Sequence, residues 1–348
     1  MNSEVIKVVA GGGKTTESEK ILKKESNGLY LAFNNAVVEE LRLKGYLCKS
    51  IDSLFASYII PKFISIIPII ANGSKVTFID SDSNTLPPRL KGIGNLTIDM
   101  QGNIFNRNLK TIFNLSILNE SLENMKNEKN YPLIKFIFSK NELRLTHKLR
   151  SDISLYLIEN YRDEVIDILK TRFTYIIFDE AQDLKKHLES FAKLVYESDL
   201  KSYFLGDDSQ NINGGGKWFE VLSPTKTLNY SHRCPENNCK WIRENLHIEI
   251  YGEDRPECNI FKINGEDVCQ YDDGNTVLLY DSCRGEYKSI ISEWKGKKLT
   301  IKSAKGKTIE DNIVIIGKSM NIKSYYTAIT RTKKNIFTTI TKINKSSK

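Results

Sequence analysis

Short apolar runs alternate with longer amphipathic stretches along this chain of 348 residues. Residues 5–9, 29–33, 174–178 and 202–205 are β-rich and almost continuously apolar, as strands buried on both faces tend to be. Each run leaves into a loop rich in Gly, Asn or Asp, and helical spacing follows. The alternation predicts an α/β protein whose parallel sheet presents its loops along one edge. Residues 225–230, 276–280, 299–302, 313–316 and 336–340 predict a second sheet. Between the second and third runs of the first set, residues about 60–150 form a long insertion with turn signals at Asn72-Gly73, Pro87-Pro88 and Gln101-Gly102-Asn103. That insertion holds a β-like piece at Lys75–Ile79 and then a polar helical tract. The longest apolar stretch, residues 57–71, is broken by Pro61, Lys62 and Pro68 and is too short to span a bilayer. Packed helix and strand is the expectation there.

The first strand runs into Ala10-Gly11-Gly12-Gly13-Lys14-Thr15-Thr16. Three glycines let backbone N–H groups turn toward an anion, and the following helix points its positive end at it. Lys14 adds a full charge beside the phosphates, and Thr15 supplies a hydroxyl for Mg²⁺. Val8 stands where the usual pattern has its first glycine, so a glycine turn of structural use only is the competing reading. The run Thr174-Tyr175-Ile176-Ile177-Phe178 ends abruptly in Asp179-Glu180-Ala181-Gln182-Asp183. A buried strand can deliver carboxylates in this way to the edge of a sheet where nucleotides bind. Asp179 then suits Mg²⁺, and Glu180 suits orienting and deprotonating a water. A solvated acidic helix start is the alternative.

Further segments follow in order. Leu205-Gly206-Asp207-Asp208-Ser209-Gln210 closes a strand, Leu228-Asn229-Tyr230-Ser231-His232-Arg233-Cys234-Pro235 contributes Arg233, Ser303-Ala304-Lys305-Gly306-Lys307-Thr308 lies downstream, and Tyr325-Tyr326-Thr327-Ala328-Ile329-Thr330-Arg331 stands near the end. From residue 8 to residue 334 this series resembles superfamily 1 helicases, motif by motif. Leu29–Ala36 resembles that family's motif Ia and Ser50–Phe55 its motif Ib, with Asp52 in place of a common His. Without the family, both segments read as a strand leading into an amphipathic helix.

The resemblance implies two RecA-like parallel-sheet domains, residues 1–222 and 223–348, with the insertion as a small accessory domain in the first. It implies ATP and Mg²⁺, with Ala10–Thr16 as the phosphate loop, Thr15 and Asp179 at the metal, and Glu180, Gln210, Arg233 and Arg331 as catalytic residues. Gln210 would sense the γ-phosphate, and the two arginines would reach across a cleft as it closes; surface ion pairing is their alternative role. Single-stranded nucleic acid, DNA favoured over RNA, is the implied partner, with replication or repair proteins beyond it. Phe33, Asn34, Trp218, Ser303 and Lys305 are the candidates for holding the strand. Trp218 serves equally well as a core residue, and Asn213 stands where the family commonly has a stacking aromatic. An RNA helicase and a nucleotide-gated binding module without unwinding activity are the other function classes.

Composition adds bounds. The net charge of +8 favours a polyanionic partner, although abundant Lys across an Asn- and Ile-rich chain also fits AT-rich coding. Six cysteines form no C-x-x-C pair, which predicts reduced thiols and an intracellular setting. The start of the chain has no basic-then-apolar leader, and no membrane association is expected.

Overall fold

The computed structural model describes residues 2–32, 35–63, 75–79, 93–106, 111–115, 131–139, 142–282 and 287–344. The chain is α/β with parallel sheets, and it forms two compact units. One comprises Met1–Ser3, Glu25–Phe178 and Leu184–Tyr203; the other comprises Glu4–Lys24, Asp179–Asp183 and Phe204–Lys348.

In the first unit, strand Tyr175–Phe178 runs parallel to Gly28–Leu31, pairing Tyr175 with Gly28 and Phe178 with Leu31. Gly28–Leu31 in turn pairs in parallel with Cys48–Lys49. Every residue of Gly28–Leu31 and Tyr175–Phe178 is buried, so both faces of these strands are covered and their sequences show no polar alternation. Helix Ile51–Leu54 is capped by the Ser50 hydroxyl, which accepts from Ser53 N, and helix His147–Asn160 is capped in the same way by Thr146. Phe191, on helix His187–Glu197, packs at 5.0 Å from Phe55 and 5.7 Å from Phe178.

The apolar stretch from residue 57 is helical through Lys62, with Pro61 in the first turn of its last segment, where a missing N–H costs least. Within the insertion, Lys75–Phe78 runs parallel to Glu142–Leu145, and Phe138–Ser139 joins the latter antiparallel. Thr97–Ile98, Asn103–Phe105 and Thr111–Asn114 make an antiparallel meander whose first turn places Gly102 at φ 78°. Asn72-Gly73 and Pro87-Pro88 lie outside the described residues.

In the second unit, residues of strand Ser3–Val8 pair in parallel with Lys226–Leu228. A five-stranded parallel sheet has the order Ile260–Lys262, Ile336–Thr338, Asn312–Ile316, Thr276–Tyr280, Lys298–Thr300. Alternate residues of its central strands serve two cores. Val277, Leu279, Ile313 and Ile315 face Tyr325, Ala328 and Ile329, while Leu278, Val314 and Ile316 face Val268, Ile291 and Trp294. Among the described residues no helix is long and apolar enough to cross a membrane. Cys48, Cys234, Cys239, Cys258 and Cys269 are free thiols.

Candidate nucleotide site

The second unit gathers most of the residues singled out above. After Val8 the chain turns through Gly11 at φ 73° and Gly13 at φ 86°, both left-handed, before helix Lys14–Lys24 begins. A side chain at position 11 would also collide, since its Cβ would lie 2.7 Å from Arg233 Cβ and from Ser231 Oγ. The close approach is fixed by hydrogen bonds. Ser231 Oγ donates to Ala10 O at 2.6 Å, and His232 N donates to Gly11 O at 3.0 Å. Arg233 is thereby seated against the glycine loop, with its guanidinium donating to Thr330 O at 3.1 Å.

Lys14 Nζ donates to Glu180 Oε2 at 2.9 Å. Burial works against the Lys14 charge, but the carboxylates of Glu180, Asp179 and Asp207 outweigh it and raise its pKa. Glu180 moves the other way: burial opposes its ionised form, and Lys14 and Lys305 overcome that, holding the carboxyl well below its usual range. Both groups are therefore charged at neutral pH. Glu180 sits at φ 52°, a strained value for a residue with a Cβ. Gln182 Nε2 donates to its carboxylate at 2.5 Å, and Gln182 Oε1 accepts from Asp207 N at 3.0 Å.

Asp207 extends the chain of contacts. Its Oδ2 accepts from Gln210 Nε2 at 2.6 Å and from Tyr326 Oη at 3.2 Å, while the Tyr326 oxygen accepts from Ala10 N at 3.2 Å. Gln210 Oε1 accepts from the Arg331 guanidinium at 2.9 Å, and Arg331 Nε donates to Thr327 O at 2.8 Å. Arg331 is only 1% exposed. Burial, with the neighbouring Arg233 charge, lowers its pKa to about 10, so it stays cationic at neutral pH. Lys14, Glu180, Gln210 and Arg331 thus belong to one connected polar network, joined through Gln182 and Asp207. Asp179 is buried beside it, whereas the Thr15 and Thr16 side chains are exposed at the start of the helix.

The strand-holding candidates are dispersed. Lys305 Nζ donates to both Asp183 carboxylate oxygens at 2.7 Å and to Gln210 O at 2.5 Å, and its side chain is 8% exposed. Burial raises the Asp183 pKa against the pull of Lys305, and Asn213 Nδ2 donates to the same carboxylate at 3.2 Å. Asn213 therefore contacts an acid in this structure, and Lys305 is paired with Asp183 and the Gln210 carbonyl. Ser303 Oγ lies 2.6 Å from Thr300 Oγ1, the oxygen that caps its own short helix. Trp218 opens helix Trp218–Val221 half-buried, its ring edge-on to Phe204 at 5.4 Å. Phe33 and Asn34 lie outside the described residues.

Sequence reasoning passed over Tyr326, Asp207 and Asp183, each inside a segment it quoted, because nothing in the pattern marks which polar residue turns inward. It also passed over Tyr230, 45% exposed, whose ring lies 5.2 Å from His232 on the strand stapled to the glycine loop.

Residues 81–214, which include Asp179, Glu180 and Gln210, match the model of the UvrD/REP helicase N-terminal domain. The α/β class with parallel sheets expected from the sequence is the one observed. Among solved structures, the PRRSV helicase is similar at 12% identity and TM-score 0.47, over 97% of this chain and 52% of that one. Arterivirus nonstructural protein 10, a helicase in complex with DNA, is similar at 13% identity and TM-score 0.45, over 97% of this chain and 60% of that one. This chain thus spans between half and two thirds of their length. No curated protein matches the sequence.

Proposed function

We propose that this chain is an ATP-driven helicase or translocase acting on single-stranded nucleic acid, with DNA favoured. The observation that carries the reading is the single network linking Lys14, Glu180, Gln210 and Arg331, since phosphoryl transfer needs a phosphate cation, a water-orienting carboxylate and a second cation for the developing charge. In this reading Ala10–Thr16 cradle the phosphates of ATP. The left-handed Gly11 and Gly13 and the cationic Lys14 suit that role. Thr15 and Asp179 would hold Mg²⁺, which supplies charge neutralisation between the phosphates. Glu180 orients and deprotonates the attacking water, Gln210 senses the γ-phosphate, and Arg233 and Arg331 stabilise the transferring group.

Lys14 pairs with Glu180 and Arg331 with Gln210. ATP binding must exchange those partners for phosphate oxygens, and hydrolysis restores them. Motor domains at 1–222 and 223–348, with an accessory insertion at about 60–150, would convert that exchange into alternate gripping of one strand. ATP turnover measured with single-stranded DNA and single-stranded RNA of the same sequence tests the proposal. Stronger stimulation by DNA supports it, stronger stimulation by RNA supports an RNA helicase, and strand binding without turnover supports a nucleotide-gated binding module.

A further inference from the structure

Tyr326 lies on helix Ile322–Ile329, fully buried, in one core with Ala10, Cys234 and Ala328. A buried hydroxyl needs partners for both of its hydrogen-bonding roles. Ala10 N, at the entry to the glycine loop, donates to the Tyr326 oxygen at 3.2 Å, and the single hydroxyl hydrogen goes to Asp207 Oδ2 at 3.2 Å. Burial, with the Asp207 charge beside it, pushes the phenol well above its usual range, so it keeps that hydrogen.

Asp207 carries the contact onward. Its Oδ1 accepts from Ser209 N at 3.0 Å, capping the short turn Asp208–Gln210, and its Oδ2 accepts from Gln210 Nε2 at 2.6 Å. The other end of the Gln210 amide, Oε1, accepts from the Arg331 guanidinium at 2.9 Å. Arg331 returns to the helix that carries Tyr326, since its Nε donates to Thr327 O at 2.8 Å and Thr330 N donates to Tyr326 O at 3.2 Å. Tyr326, Asp207, Gln210 and Arg331 therefore close a ring, all of it inside the second unit. The ring allows the Gln210 amide one orientation. Reversed, its NH₂ would face the guanidinium and its oxygen would face the carboxylate.

We propose that Tyr326 is a positioning residue for hydrolysis, whose hydroxyl holds the Asp207 carboxylate that orients Gln210 and ties Ala10 of the glycine loop to the same ring. The proposal rests on the ATPase reading above and adds to it a residue that touches neither phosphate nor water.

Tyr326→Phe keeps the ring and removes the hydroxyl. With saturating single-stranded DNA, kcat for ATP should fall about tenfold, while KM changes by less than about twofold. Asp207→Asn cuts the same link from the other side, turning an N–H toward the Tyr326 hydroxyl and Gln210 Nε2, and should act alike. A thermal melt of each variant verifies folding. The decisive readout is a double-variant cycle. Gln210→Ala lowers kcat by itself, and in that background Tyr326→Phe should cost less than about twofold further, because the residue it positions is gone. A purely structural hydroxyl would cost the same in both backgrounds. Should Tyr326→Phe fail to melt cooperatively, Asp207→Asn in the two backgrounds supplies the same cycle. Wild-type kcat in a folded Tyr326→Phe or Asp207→Asn, or a full loss added to that of Gln210→Ala, overturns the proposal. A wild-type chain that hydrolyses no ATP would instead overturn the ATPase reading, and this role of Tyr326 with it.

Discussion

The nucleotide-site candidates and the strand-holding candidates of this chain behave differently. Lys14, Glu180, Gln210 and Arg331 fall into one network, which Lys305 joins through the Gln210 carbonyl, whereas Trp218 and Ser303 lie outside it. Charge chemistry explains the contrast. Charged groups gathered away from water must be mutually oriented, so each needs a partner within hydrogen-bond reach. A strand backbone can be held by scattered hydroxyls, amides and rings on an open surface. The first requirement leaves residue types at fixed places in the sequence; the second leaves almost none.

The contrast breaks first at Lys14, if it breaks at all. Lys14→Ala should reduce ATP turnover to background, a loss of at least about 10³-fold, because Lys14 is the cation within the glycine loop itself. The melting curve should stay within a few degrees of wild type, and turnover retained at the wild-type rate would separate this loop from catalysis.

Arg331→Ala should lower strand-stimulated turnover by about 10³, the scale of a catalytic arginine, while nucleotide affinity stays within a few-fold. The burial of Arg331 adds an effect on folding. Gln210 Oε1 and Thr327 O lose their donor, which should cost about 2 kcal/mol of stability in a denaturant titration. Arg331→Lys should recover stability better than activity, since a point charge does not reproduce the planar fork.

Glu180→Gln is expected to be milder, with turnover down by about 10². ATP and strand should remain bound together, since the amide keeps the shape of the side chain and loses only the base. Strand affinity measured with ATP present reads this directly, and normal turnover would move the base elsewhere.

The smallest effect sharpens the other side of the comparison. If Trp218 stacks on a base, Trp218→Ala should weaken strand binding by about 1 kcal/mol or more with little change in melting temperature. If its contact with Phe204 is its whole role, the melting temperature falls and strand affinity holds.

Much of the fold was legible because buried strands are apolar on both faces: the strand expected at 276–280 is Thr276–Tyr280, and that expected at 313–316 lies within Asn312–Ile316. The insertion was less legible, as its strands of two to four residues are too short to show a period. In the site, the residue types were readable and their pairings were not. Lys305 fits a phosphate contact by sequence, yet Asp183 and the Gln210 carbonyl occupy its ammonium, because a buried lysine needs an acid and the chain supplies one 122 positions away. Asn213 likewise reads as a missing aromatic until its amide is found on the same carboxylate.

The central claim, that the Lys14–Glu180–Gln210–Arg331 network hydrolyses ATP in response to a bound strand, is tested most directly by Mg²⁺-dependent ATP turnover of the wild-type chain titrated with single-stranded DNA. The account predicts turnover that rises by about tenfold or more and saturates with strand. Turnover no higher than that of Lys14→Ala, with or without strand, would contradict it.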